Sequence, residues 1–90
     1  MNEEQIKQIP FQTREALRRW VQRGILPGGF LQCVMSNDLF GAIRRADAEN
    51  LKALALICQY LHHECPATCF GFDELVDSWP GIVHLDEEEE

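Results

Sequence analysis

Between Thr13 and Gly24 the apolar residues Leu17, Trp20 and Val21 recur at intervals of three and four, while Arg14, Arg18, Arg19, Gln22 and Arg23 fall off that stripe. Such spacing predicts an amphipathic helix with one face on a core and a basic outer face. The helix opens at Pro10 or Thr13, because proline suits the first helical turn and threonine caps free backbone N–H groups. It stops at Gly24, and Glu15 stands four residues before Arg19, the favourable order for an ion pair. Ile25-Leu26-Pro27-Gly28-Gly29 then breaks the pattern with a tight turn. Phe30, Leu31, Val34 and Met35 resume helical spacing up to Ser36-Asn37-Asp38. A third helix follows on Leu39, Phe40, Ile43 and Ala46, capped by Asn37, with Arg44 and Arg45 outside and Asp47 closing it or capping the next.

From Ala48 to Glu64 two stripes coexist: Leu51, Leu54, Ala55, Cys58 and Leu61 on one, and Ala53, Leu56, Ile57 and Tyr60 on the other. A helix so patterned is covered on most sides, which makes it the centre of the bundle or a contributor to an oligomer. Pro66 ends it. Phe72, Leu75, Val76 and Trp79 give a last short helix from Asp73, stopped by Pro80-Gly81. No segment alternates cleanly enough for a strand. The expected fold is all-α: one compact bundle of four to five short helices over residues 10–83, with a frayed N-terminus at 1–9 and an acidic tail at 84–90.

Ninety residues leave room for one hydrophobic core and no second domain. The charge is uneven: residues 1–52 hold all eight Lys and Arg with six acids, and residues 53–90 hold nine acids and no base. A net charge of −7 opposes non-specific nucleic-acid binding, which needs clustered cations to release counterions. Five of the acids are Asp86 to Glu90, a solvated tail or a contact for a basic partner. The acidic start, Met1-Asn2-Glu3-Glu4, is unlike a secretory signal, and no apolar run is long enough to span a membrane, so a cytosolic location is expected.

Cys33, Cys58, Cys65 and Cys69 are therefore expected as free thiols. Cys58, His62, Cys65 and Cys69 crowd into one run, but the spacing lacks the paired knuckles of a zinc site. No metal or other cofactor is expected, and Cys58 with one of Cys65 or Cys69 is expected to fill the core. Catalysis is not expected either: no serine or cysteine has a base and an orienting group beside it, and a thiol–histidine dyad among Cys65, Cys69, His62 and His63 is the only candidate.

Gly28, Gly29 and Phe30 open a helix, where backbone N–H groups can hold a phosphate or carboxylate. If Arg23, Arg44 or Arg45 folds back on that turn, a guanidinium fork joins the backbone donors on one anion. Asn37, Asp38, Asp47 and Asn50 bracket the third helix, as caps or as polar groups facing a ligand groove. A DNA-binding helix-turn-helix from the second and third helices, with Arg44 and Arg45 on phosphates, is opposed by the net charge.

Gly24-Ile25, Pro27-Gly28-Gly29-Phe30-Leu31, Asn37-Asp38-Leu39-Phe40, Arg45-Ala46-Asp47 with Asn50, and Tyr60-Leu61 before Pro66 together resemble a family of small uncharacterised proteins encoded by bacteriophages and prophages. The likeness spans roughly residues 9–81 and carries no catalytic or binding residues with it. What it implies is context: an accessory factor that binds a host component, including inhibitors of bacterial defence. Two mechanisms follow, both stoichiometric. One is inhibition of a host protein through the acidic half or an apolar patch such as Trp79. The other is a sponge that holds an anionic, nucleotide-like signal at Gly28 and Gly29 with nearby arginines. Homo-oligomerisation is expected from the apolar excess of the central helix.

Overall fold

The computed structural model describes the backbone of residues 1–88 and side chains through Leu85. Its eight α-helices are α1 (Glu3–Lys7), α2 (Phe11–Arg23), α3 (Gly29–Met35), α4 (Leu39–Arg45), α5 (Ala48–Lys52), α6 (Leu54–Glu64), α7 (Asp73–Ser78) and α8 (Ile82–Glu88). One 3-10 turn, Ala67–Cys69, links α6 to α7, and no strand occurs among the described residues. The all-α class is as the pattern predicts, with more and shorter helices. None among the described residues is long and apolar enough to cross a membrane.

Three segments account for the higher count. Residues 1–9, expected to fray, contain α1, held by a capping box in which the Gln5 N–H donates to Asn2 Oδ1 at 2.9 Å and the Asn2 N–H donates to Gln5 Oε1 at 3.2 Å. Ile9, just beyond it, is fully buried. The stretch expected as one central helix is broken at Ala53 into α5 and α6. Beyond Gly81, α8 runs through Glu88, so part of the expected tail is helical; Glu89, Glu90 and the side chains of Asp86 to Glu88 lie outside the described residues.

The caps follow local chemistry. Pro10, not Thr13, precedes α2, and Gly24 closes it at φ 71° with its N–H on the Trp20 carbonyl. Asp38, not Asn37, caps α4 by accepting from the Gly41 N–H at 3.0 Å, while Asn37 takes the left-handed conformation at φ 64°. Asp47 caps α5 through the Asn50 N–H at 2.8 Å. Glu15 pairs with Arg18 at 3.4 Å, one residue short of the Arg19 expected.

The core gathers Ile9, Leu17, Trp20, Met35, Ile57, Leu61, Cys69, Val76 and Trp79. Two indoles tie it together. Trp20 Nε1 donates to the Cys69 carbonyl at 3.1 Å, and Trp79 Nε1 donates to the Trp20 carbonyl at 2.9 Å. Each ring is thus buried with its one donor satisfied, which keeps the cost of desolvating it low. Of the two stripes between Ala48 and Glu64, the core takes Ala53 and Ile57 from one and Leu61 from the other, and Leu56 and Tyr60 pack against it. Leu51, Ala55 and Cys58 of the other stripe stay exposed, so this stretch is covered on one side.

Candidate functional site

α4 lies close against α3 because it presents its smallest residues, Gly41 and Ala42, to that helix. A Cβ added to Gly41 would stand 2.9 Å from Cys33 Sγ, so Gly41 and the buried Ala42 set the contact distance. With these two turned inward, helical geometry turns Leu39, Phe40 and Ile43 outward. All three are exposed, Phe40 to 76%. The patch does not end at α4. Leu39 and Ala42 share a shallow groove with Val34 of α3 and with Leu54 and Cys58 of α6. A second hollow of about 240 Å³ adjoins it, lined by Val34, Asn37, Cys58, Leu61, Phe70 and Gly71. An apolar strip thus crosses from α4 to the uncovered stripe of α6.

The α3–α4 pair also brings together part of the anticipated anion site. Arg45, at the end of α4, lies across the start of α3. Its Cδ and Nε are 3.1 and 3.2 Å from the point where a Cβ on Gly29 would stand, a close approach that a side chain there would push back by a few tenths of an ångström. Its Nη1 points to Cys33 Sγ at 3.6 Å, and no carboxylate pairs with it among the described residues. Gly28 and Gly29 are exposed beside it, and Phe30 packs its ring against the core. Arg44 is exposed. Arg23 is elsewhere, in a cleft between α2 and α8.

Of the four polar residues around α4, Asp38 and Asp47 are caps, and Asn50 accepts from Thr13 Oγ1 at 2.6 Å, fastening α5 to α2. Asp38 also borders a hollow with Gln32, Cys33, Ser36 and Asp73, a neighbour sequence spacing did not suggest. Asn37 borders the apolar strip. These residues therefore do not face one ligand groove.

No family model, curated protein or solved structure matches this chain. What can be said of its chemistry rests on its own side chains.

The thiols behave differently from one another. Cys69 is fully buried, as expected of one cysteine in that run, whereas Cys58 is exposed and does not fill the core. Cys65 is half-buried, and its hydrogen bond to Cys69, together with burial, pushes its thiol far above the ordinary value. Among the described residues no group of three or more His, Cys, Asp or Glu side chains is gathered as a metal would require, so Cys58, His62, Cys65 and Cys69 do not assemble into a site. His62 and His63 are exposed and contact each other edge to face at 5.0 Å. Trp79, expected as a surface anchor, is 7% exposed and engaged with Trp20.

The pattern of apolar residues could have located the strip. Leu39, Phe40 and Ile43 read as core because they sit at helical spacing; the cue against that reading was Gly41-Ala42 between them, the pair small enough for a close helix contact.

Proposed function

We propose that this chain is a non-enzymatic binding protein that acts stoichiometrically, by laying the α4–α6 strip against a protein partner. The observation that carries the reading is the exposure of Phe40 beside Leu39 and Ile43, on a helix whose inward face is satisfied by Gly41 and Ala42. Large apolar side chains grouped on one face mark an interaction surface, and aromatic residues are enriched among those that dominate binding energy. The resemblance to small phage-encoded proteins makes a component of the bacterial host, met in its cytosol, the partner of choice. In affinity capture from host lysate, the native chain should retain one protein at a fixed ratio, and Phe40→Glu should lose it with an unchanged far-ultraviolet spectrum. Retention by both, or by neither, sinks the proposal.

A second reading, the sequestration of an anionic, nucleotide-like ligand, is favoured by one contact: Arg45 lies against Gly29, as a fork converging on that turn requires. It predicts that Gly29→Asp, or the pair Arg44→Glu and Arg45→Glu, abolishes binding of such a ligand without unfolding the chain. Undiminished binding in both variants overturns it.

A further inference from the structure

An open cleft lies where α8 crosses the end of α2. Two glycines make the crossing possible. Gly24 and Gly81 take φ of 71° and 97°, and their backbones pass so closely that a Cβ on either would collide with the other strand of chain: Gly24 with the Pro80 carbonyl, Gly81 with the backbone of Arg23 and Gly24. α8 is thereby pinned against the last turns of α2, and the space left beside the crossing is an open cleft of about 390 Å³. That volume falls at the small end of the range for small-molecule sites.

Its lining is unlike the rest of the surface. Arg18, Arg19, Gln22 and Arg23 form one wall and Val83 of α8 the other. Arg18 is the only one of the three arginines with an ion pair among the described residues, to Glu15 at 3.4 Å. Arg19 and Arg23 stand one helical turn apart, so their guanidinium groups face the same space. Among the described residues no carboxylate lines the cleft; its three cations repel each other, and a multiply charged anion relieves that repulsion. Each guanidinium presents a planar fork of donors matched to two oxygens of a phosphate, Gln22 adds an amide donor, and Val83 gives the ligand an apolar edge to rest on.

We propose that the α2–α8 cleft is a binding site for a small molecule bearing two or more phosphate groups. The site is independent of the α4–α6 strip and of the Arg45–Gly29 contact, and it stands if either of those readings fails.

The test is a titration of the full chain with inorganic pyrophosphate, followed by amide NMR at constant ionic strength, with sodium chloride as the control. The expected result is saturable shifts confined to residues 18–24 and 81–84, with half-saturation below about 1 mM, the affinity that two or three charge-assisted hydrogen bonds sustain. The double variant Arg19→Glu, Arg23→Glu should weaken binding by at least about a hundredfold, since each lost charged contact is worth about tenfold or more. Arg19→Lys with Arg23→Lys keeps the charge and loses the forks, and should weaken binding by about tenfold. Both changes are on exposed side chains, and the lysine pair keeps the test decisive if the glutamate pair disturbs the fold. Shifts that grow linearly and match those of sodium chloride, shifts centred on Gly29 and Arg45, or full binding by the lysine variant each overturn the proposal.

Discussion

Trp20 and Phe40 are both large aromatic residues at helical spacing, twenty positions apart, and the molecule treats them in opposite ways. Around Trp20 the chain closes from several directions: α2 supplies Leu17, α3 Met35, α6 Ile57, the 3-10 turn Cys69 and the end of α7 Trp79. Phe40 is 76% exposed on a helix whose small inward residues, Gly41 and Ala42, take the contact with α3. Each aromatic ring needs cover, yet the chain has one core's worth of elements to give, as expected at this length. The region it encloses carries stability. The region it leaves open is the surface on which we propose that a partner binds.

Variants can break this contrast, and the largest effect belongs to the enclosed side. Trp20→Ala should cost about 3–5 kcal/mol, as removal of a buried aromatic does, and it also strands the Cys69 carbonyl. Against the stability usual for small domains that is enough to unfold much of the population, measurable by urea titration. Gly81→Ala should cost about 2–4 kcal/mol, because a side chain at φ 97° is strained and its Cβ meets the Arg23–Gly24 backbone. The same change at Gly28, where a Cβ meets nothing, should leave stability nearly unaltered, and equal losses at both glycines would contradict the α2–α8 crossing.

Smaller effects sharpen the open side. Asp38→Ala removes the α4 cap and should cost about 1 kcal/mol, lowering the melting temperature by about 4–8 °C. Phe40→Ser should change stability by no more than about 0.5 kcal/mol, since the ring is already in water. A loss as large as that of Trp20→Ala would show that Phe40 is enclosed after all, by a second copy of the chain if the loss depends on protein concentration.

The pH dependence separates the regions once more. Burial raises the Tyr60 phenol above its ordinary value, with Cys65 and Glu64 adding to the shift. The unfolded chain therefore gives up this proton first as pH rises, so the stability it contributes is complete below the ordinary tyrosine value of 10.0 and is lost progressively above it. Cys65 and Cys69, hydrogen-bonded to each other, shift in opposite directions, Cys65 up and Cys69 down, and act on stability with opposite signs. Urea midpoints should fall between about pH 9 and about pH 11, and Tyr60→Phe should flatten part of that fall. Coincident pH profiles for the native chain and the variant would contradict the assignment.

Helix positions were legible along the chain because their signals are local. Gly24, Asp47, Pro66 and Asp73 mark starts and stops through dihedral limits and capping that act within a few residues. The buried face of α2 was legible for the same reason, since Leu17, Trp20 and Val21 have no competing stripe. The break at Ala53 was not: its residues favour helix equally on both sides, and what distinguishes them is which neighbour each half packs against.

Which apolar stripe becomes core is a question of the same kind. The Ala48–Glu64 stretch carries two apolar stripes, and the packing of distant elements draws Ala53 and Ile57 of one and Leu61 of the other into the core while Leu51, Ala55 and Cys58 stay exposed. Trp79, expected on a surface patch, is buried while Phe40 stays exposed, and of the arginines offered for the Gly28–Gly29 turn, Arg45 lies against it and Arg23 lines the cleft beside α8. The amino-acid order by itself determined the placing of α2, α3, α4 and α7 and which residues are apolar, through interactions spanning one or two turns. The tertiary structure alone decided which of those apolar and basic side chains meet, because burial and convergence depend on elements that are distant in the chain and compete for the same limited surface.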